Sequence, residues 1–252
     1  MLLSDDDCPV VRRITGTPGS MFVLIADHAG NAIPASLAGL GISAEDRRRH
    51  IAWDIGIAGV TERLSRLLGA PAYMQNYSRL VIDCNRNPLW DSAIPVVSEK
   101  TFIPGNSSLS DIERGERYAQ IFFPYHTAIS IELDKRMAAR QSTILVSLHS
   151  FTPQYMGADR AMHVSTLYNK NSRCSKRLAT LLRDQKGFIV AENEPYRVSD
   201  ASDFSIPVHA EHRGLDYVAI EIRQDLLMSE SGQEEWAVRL AALLPLVAND
   251  LS

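Results

Sequence analysis

The sequence predicts a single α/β domain built on a mostly parallel sheet with helices packed on both faces. Three observations predict it. Apolar runs at 21–26, 143–148 and 217–222 are rich in β-branched residues and have the length of strands buried on both faces. Segments of helical periodicity fall between such runs, so strands and helices alternate along the chain. No internal repeat and no linker rich in Gly, Pro or Ser divides the 252 residues, a length ordinary for one large α/β unit.

In chain order, residues 1–18 read as an irregular N-terminal segment. The run 21–26 is a strand, and the loop 27–34 follows it, punctuated by Gly30 and Pro34. A helix is expected from Ser43, with Asp46 three residues on as a weak capping pair, through Leu68 to a stop at Gly69. Gly56 and Gly59 are places where it could bend. Strands are expected at 72–75 and 79–84, the second ended by 85–88. Residues 100–110 form a loop by composition. The stretch 109–140 is helical in pattern, with Pro124 a break or kink. After the strand 143–148 come a strand at 162–167, a helix at 172–185, strands at 187–191 and 217–222, and a helix at 234–249 interrupted near Pro245.

Composition excludes several function classes. Net charge is −4 and the pI about 6.0, so no basic stripe recommends a nucleic-acid partner. The run Arg47, Arg48 and Arg49 reads as a solvated helix face. The acidic start is unlike a secretory leader, and no apolar run is long enough to span a membrane, so a cytoplasmic location is expected. Cys8, Cys84 and Cys174 are scattered and form no C-x-x-C, which argues against a thiolate zinc site and fits a reducing compartment. There is no G-x-S-x-G elbow, P-loop or dinucleotide-binding G-x-G-x-x-G.

In open α/β sheets, ligands sit at the carboxyl ends of strands. There the chain offers Asp27 and His28, then Asp83, Asn85 and Arg86, then His149 and Ser150, then Glu192 and Asn193, and then Glu221 and Arg223. His28 and His149 each follow an apolar strand and open a turn, where an imidazole can reach a zinc ion in the crevice. A third ligand is needed. Asp54 is the better candidate, sharing a helical face with His50 in the expected helix. Asn31, three residues after His28, is a poor alternative because an amide ligates zinc weakly. The competing reading of Asp54 is a surface carboxylate or a partner for His50. Glu221, inside an apolar strand, is either a general base for water or a buried partner for Arg223, which alternation puts on the same face. Arg79, Asn85 and Arg86 suit two-point recognition of a substrate carboxylate, with an internal ion pair to Asp83 as the alternative. His126 and Arg160 are further candidate pocket contacts, as is Arg223 if it is not committed to Glu221.

At these residues the sequence resembles the N-formylglutamate amidohydrolase family. The resemblance rests on the 27–34 loop after the first strand, the S-R-x-x-x-D-x-N-R block at 78–86, the P-Y-H element at 124–126, the second histidine motif at 148–151, and blocks at 193–196 and 218–223. It covers about residues 21–225. Each motif is weak alone, and their order gives them specificity. The resemblance implies a three-layer α/β/α, phosphorylase/hydrolase-like fold with a mixed, mostly parallel central sheet. It implies hydrolysis of an acidic N-acyl amino acid, a small molecule, by a zinc-dependent enzyme. His28 and His149 match the family's histidine ligands, Glu221 its catalytic glutamate, and Asn85 and Arg86 the pair that binds a substrate carboxylate. Asn31 stands where the related carboxypeptidase pattern has glutamate. That departure keeps two other readings open: a metallo-carboxypeptidase or peptidoglycan amidase, and a relative that binds acidic ligands without catalysis.

Overall fold

The computed structural model describes residues 1–251. Its centre is a seven-stranded sheet of β1 (Val11–Ile14), β2 (Phe22–Ala26), β3 (Ala72–Gln75), β6 (Ile144–Phe151), β9 (Val164–Leu167), β10 (Val190–Glu192) and β11 (Asp216–Arg223), in the order β1-β3-β2-β6-β11-β9-β10. The four central strands β3, β2, β6 and β11 are parallel; β1 joins one side antiparallel, and the parallel pair β9 and β10 joins the other side antiparallel to β11. Two short hairpins, β4 (Val97–Ser98) with β5 (Thr101–Phe102) and β7 (Gln154–Tyr155) with β8 (Ala158–Asp159), stand outside the sheet.

Alternation along the strands builds two cores, one on each face. Phe22, Leu24 and Ala26 of β2 and Val218 and Ile220 of β11 pack against α1 (Ile57–Leu68), α4 (Arg173–Asp184) and α5 (Glu230–Asn249). Val23, Ile25, Leu145 and Tyr217 face the other way, onto Tyr125, Ile129 and Leu133 of α3 (Phe123–Ala138). The three-layer arrangement follows directly.

Several local expectations are corrected. The N-terminal segment contributes β1, so residues 11–14 are sheet edge. Residues 43–68 are not one helix: a single tight turn at Asp46–Arg48 precedes α1, which begins at Ile57. Gly56, at φ +80°, separates the two, so His50 and Asp54 do not share a helical face. Residues 79–84 are successive turns rather than a strand. Pro124 sits in the first turn of α3, where its missing N–H costs nothing, and a short α2 (Asp111–Arg117) with a Ser110–Glu113 capping box precedes it. Pro245 is carried inside α5 without ending it. Gly69, at φ +57°, does stop α1.

Candidate active site

The sheet order reverses between β2 and β6. From β2 the chain crosses through α1 to β3 on one side, whereas β6 lies on the other, so a crevice opens at the carboxyl ends of these two strands. His28 lies two residues past β2. His149 is within β6, directly in register with Glu221 of β11. Asp54 arrives from the turn ahead of α1, and its backbone N–H donates to the His28 carbonyl at 2.9 Å, tying that turn to the end of β2. Gly56 lets the chain turn from Asp54 into α1. A Cβ there would lie 2.5 Å from the Cβ and carbonyl oxygen of Leu227.

All four side chains are buried. One ligand atom each from His28, Asp54 and His149 falls within 4.8 Å of the others. Asp54 Oδ2 lies 3.0 Å from His149 Nδ1 and 3.5 Å from His28 Nδ1. His28 Nδ1 is buried and makes no hydrogen bond. The opposite ring nitrogens are held from behind. His28 Nε2 lies 2.7 Å from Asp83 Oδ1, and His149 Nε2 lies 3.0 Å from Ser147 Oγ and 3.6 Å from Asp27 Oδ2. Carboxylates behind imidazoles, with the inner nitrogens left to converge, are the usual second shell of a metal-ligating histidine. The rings cross at 60° with centroids 5.2 Å apart.

The charges are strongly coupled. Burial works against the ionised forms of Asp54 and Asp83. The nearby His28 charge and the hydrogen bond from His149 nevertheless hold Asp54 well below the usual carboxylate range. Arg79 and His28 do the same for Asp83. Burial lowers His149, but its hydrogen bond to Asp54 and the charges of Asp54, Glu221 and Asp27 more than offset this and lift it to about 9. His28 is raised as well: burial and Arg79 oppose its charge, and Asp83 and Asp54 outweigh them. Burial lifts Glu221 to about 7, with His149 opposing and Asp54 reinforcing the rise. The pocket thus attracts positive charge. A divalent cation bound between the imidazoles would supply that charge.

These groups form the floor of a cavity of about 570 Å³, a size suited to a small-molecule substrate. Seven of the expected ligand, base and substrate-binding residues line it, His28, Asp54, Arg79, Asn85, Arg86, His149 and Glu221, together with Asp83. Arg79 is spent internally, with Nε and Nη2 donating to Asp83 Oδ2 at 3.0 and 2.6 Å. The Asn85 side chain is also committed, accepting from the Phe204 and Ser205 N–H groups and donating to Asp203. Arg86 gives Nη1 to the carbonyls of Ser202 and Asn85 and keeps Nε and Nη2 unbonded.

Five other residues are not brought to the cavity wall. Asn31 donates to the Arg47 carbonyl at 3.1 Å, so Asp54 is the residue that joins the histidines. His126 uses both ring nitrogens on the Cys84 carbonyl and His209. Arg223 pairs with Asp225 and the carbonyls of 160–162, leaving Glu221 without an arginine partner. Arg160 lies over Tyr155 and Tyr196 and donates to the Tyr196 hydroxyl at 3.1 Å. It supports two lining tyrosines without lining the cavity itself. Glu192 pairs with Arg183.

Sequence reasoning missed Tyr196 and Arg197, both in the wall, and the roles of Asp83 and Asp27 behind the histidines. The block at 193–196 was the available signal for Tyr196.

The sequence model of the N-formylglutamate amidohydrolase family matches residues 20–228, which takes in every element from β2 to β11. The chain belongs to the N-formylglutamate amidohydrolase family. Membership supports an amide hydrolase acting on C–N bonds of a small molecule. This family member is similar to a structurally solved gene product of Agrobacterium tumefaciens, at 33% identity and a TM-score of 0.95 over 100% of this chain and 99% of that one. It shares its fold with the N-formylglutamate amidohydrolase of Ralstonia eutropha JMP134, at 18% identity and a TM-score of 0.67, covering 95% of this chain and 97% of that one. A search of the curated proteins found no match. No helix among the described residues is long and apolar enough to cross a membrane.

Proposed function

We propose that the chain hydrolyses the amide of an N-acyl amino acid of the N-formylglutamate type, with a zinc ion held by His28, Asp54 and His149 and with Glu221 as the general base. The observation that carries this reading is the convergence of three buried ligand atoms within 4.8 Å beside an uncommitted carboxylate oxygen, Glu221 Oε2. The donor set, two imidazoles and a carboxylate, is that of a catalytic zinc site with an open position. The orphaned His28 Nδ1 supports the fit.

When bound, the ion supplies Lewis acidity, which lowers the pKa of a water towards about 7 and polarises the scissile carbonyl. Asp83 and Ser147 hold the imidazole rings in the orientation that keeps Nδ1 inward. Glu221, raised to about 7, is matched to take the proton of the attacking water near neutral pH and to return it to the departing amine nitrogen. The unbonded nitrogens of Arg86 receive the substrate α-carboxylate and fix the amide against the base. The products are the free amino acid and the carboxylate of the acyl group, formate for a formyl substrate.

The test is metal analysis of the purified protein together with formate release from a panel of N-formyl amino acids. Native protein should carry about one zinc and turn over. Glu221→Gln should keep the metal and lose about 10²- to 10⁴-fold in kcat. Undiminished kcat in that variant removes Glu221 as the base, and absence of zinc from an active enzyme removes the ion. Cleavage of peptides in preference to formyl amino acids would favour a peptidase.

A further inference from the structure

We infer that Arg197 selects substrates by side-chain charge, taking a second carboxylate on the N-acyl amino acid while Arg86 takes the first. This deepens the amide-hydrolase reading above and rests on it. Most basic side chains of the cavity wall already face an anion. Arg79 is neutralised by Asp83 and approaches Asp54. His50 faces Glu99 at 3.2 Å. Arg86 lies 3.6 Å from Asp203. Arg197 lines the same cavity, and among the described residues it makes no hydrogen bond, ion pair or ring contact.

The guanidinium is carried on a held backbone. On one side, Tyr196 is fixed by Arg160. On the other, Val198 is buried and the Ser199 N–H donates to Asp203 Oδ2 at 3.1 Å. Asp203 is in turn bonded to Asn85 and sits beside Arg86. Arg86 and Arg197 therefore belong to one wall, tied together through the 199–203 turn, and both have nitrogens to spare. An acyl amino acid with a neutral side chain satisfies one guanidinium. One with an acidic side chain satisfies both, and each charge-assisted fork is specific for a planar anion.

The experiment compares kcat/KM for N-formyl-L-glutamate with that for N-formyl-L-glutamine, substrates of nearly equal shape that differ in charge. Native protein should favour the acid. In Arg197→Gln that acid-to-amide ratio should fall about tenfold or more, the worth of one hydrogen bond to a charged group, and Arg197→Lys should retain part of it. An unchanged ratio in Arg197→Gln overturns the inference and leaves the amidase reading intact. If native protein cleaves neither substrate, the reading itself fails. Calorimetric binding of L-glutamate and L-glutamine to native and Arg197→Gln protein then decides the inference separately. A preference for glutamate that the variant loses upholds it, and equal binding by native protein overturns it.

Discussion

Replacing Asp83 by Asn tests the proposed metal centre without touching a proposed ligand. Asp83 lies behind His28, with Oδ1 at 2.7 Å from Nε2. Asn keeps a carbonyl oxygen there and for the Asn85 N–H, which Asp83 Oδ1 now accepts at 2.8 Å, but it removes the negative charge. Loss of such an outer partner weakens metal binding about 10- to 100-fold, or about 1.4 to 2.7 kcal/mol. The surroundings push the effect to the upper end. Arg79 now gives two hydrogen bonds to Asp83 Oδ2 and stands 3.6 Å from Asp54 Oδ1. Without the Asp83 charge, its nearest anion is Asp54, a proposed ligand, so the guanidinium competes with the ion. Asp83→Asn should therefore raise the zinc Kd about 100-fold in competition with a chromogenic chelator. The metal-free variant should also lose about 3 kcal/mol of stability through its half-broken buried pair. A zinc Kd within about twofold of native in a folded variant, against the factor set out above, would refute this account of the second shell.

Two further outcomes follow from the same geometry. Burial raises the Glu221 carboxyl from 4.5 to about 7. Between those values the unfolded chain has released a proton that the folded chain still holds, so stability is lost as pH rises through the folded pKa. Metal-free Glu221→Gln should lack this loss and gain up to about 3 kcal/mol on native protein from pH 4.5 to 8, read by urea unfolding across that range; a difference independent of pH contradicts it. Gly56→Ala combines a left-handed φ of +80° with a Cβ 2.5 Å from the Leu227 backbone. It should cost more than about 2 kcal/mol and weaken zinc binding by shifting Asp54, measured by denaturant melts and the chelator assay; native values in both would show that the turn yields freely.

The histidines were legible because they follow unbroken apolar runs, and a run buried on both faces leaves a strand as its reading. The same rule failed at 79–84. That stretch is as apolar as a strand but is buried by turns. The Ser78 hydroxyl caps them, accepting from the Leu80 N–H and donating to the Ala52 carbonyl, and Asp83 accepts the Asn85 N–H. Side-chain-to-backbone bonds of this kind replace sheet pairing and leave no periodic trace. The helix expected over 43–68 failed at Gly56, whose conformation is set by Leu227, 171 positions away. The structure brings Asp54 beside the histidines, but from a turn and not from the helix that the sequence suggests. Arg86 and Arg79 are equally conspicuous in the sequence. Only their partners show that Arg79 is neutralised inside the protein and that Arg86 keeps nitrogens free. Arg197 lies in a loop after β10, where local pattern marks nothing and position in space decides.

The order of the sheet also dictates how the molecule must be assembled. β11, the last strand in sequence, enters between β6 and β9. Until it does, β6 presents a long, unpaired and largely apolar edge to the surroundings, and the β9–β10 pair has no seat. Such a border invites pairing with other molecules, and contacts this distant in sequence form slowly. Glu221, the proposed base, rides in on that closing piece, so the same strand completes the candidate site and covers the edge of β6.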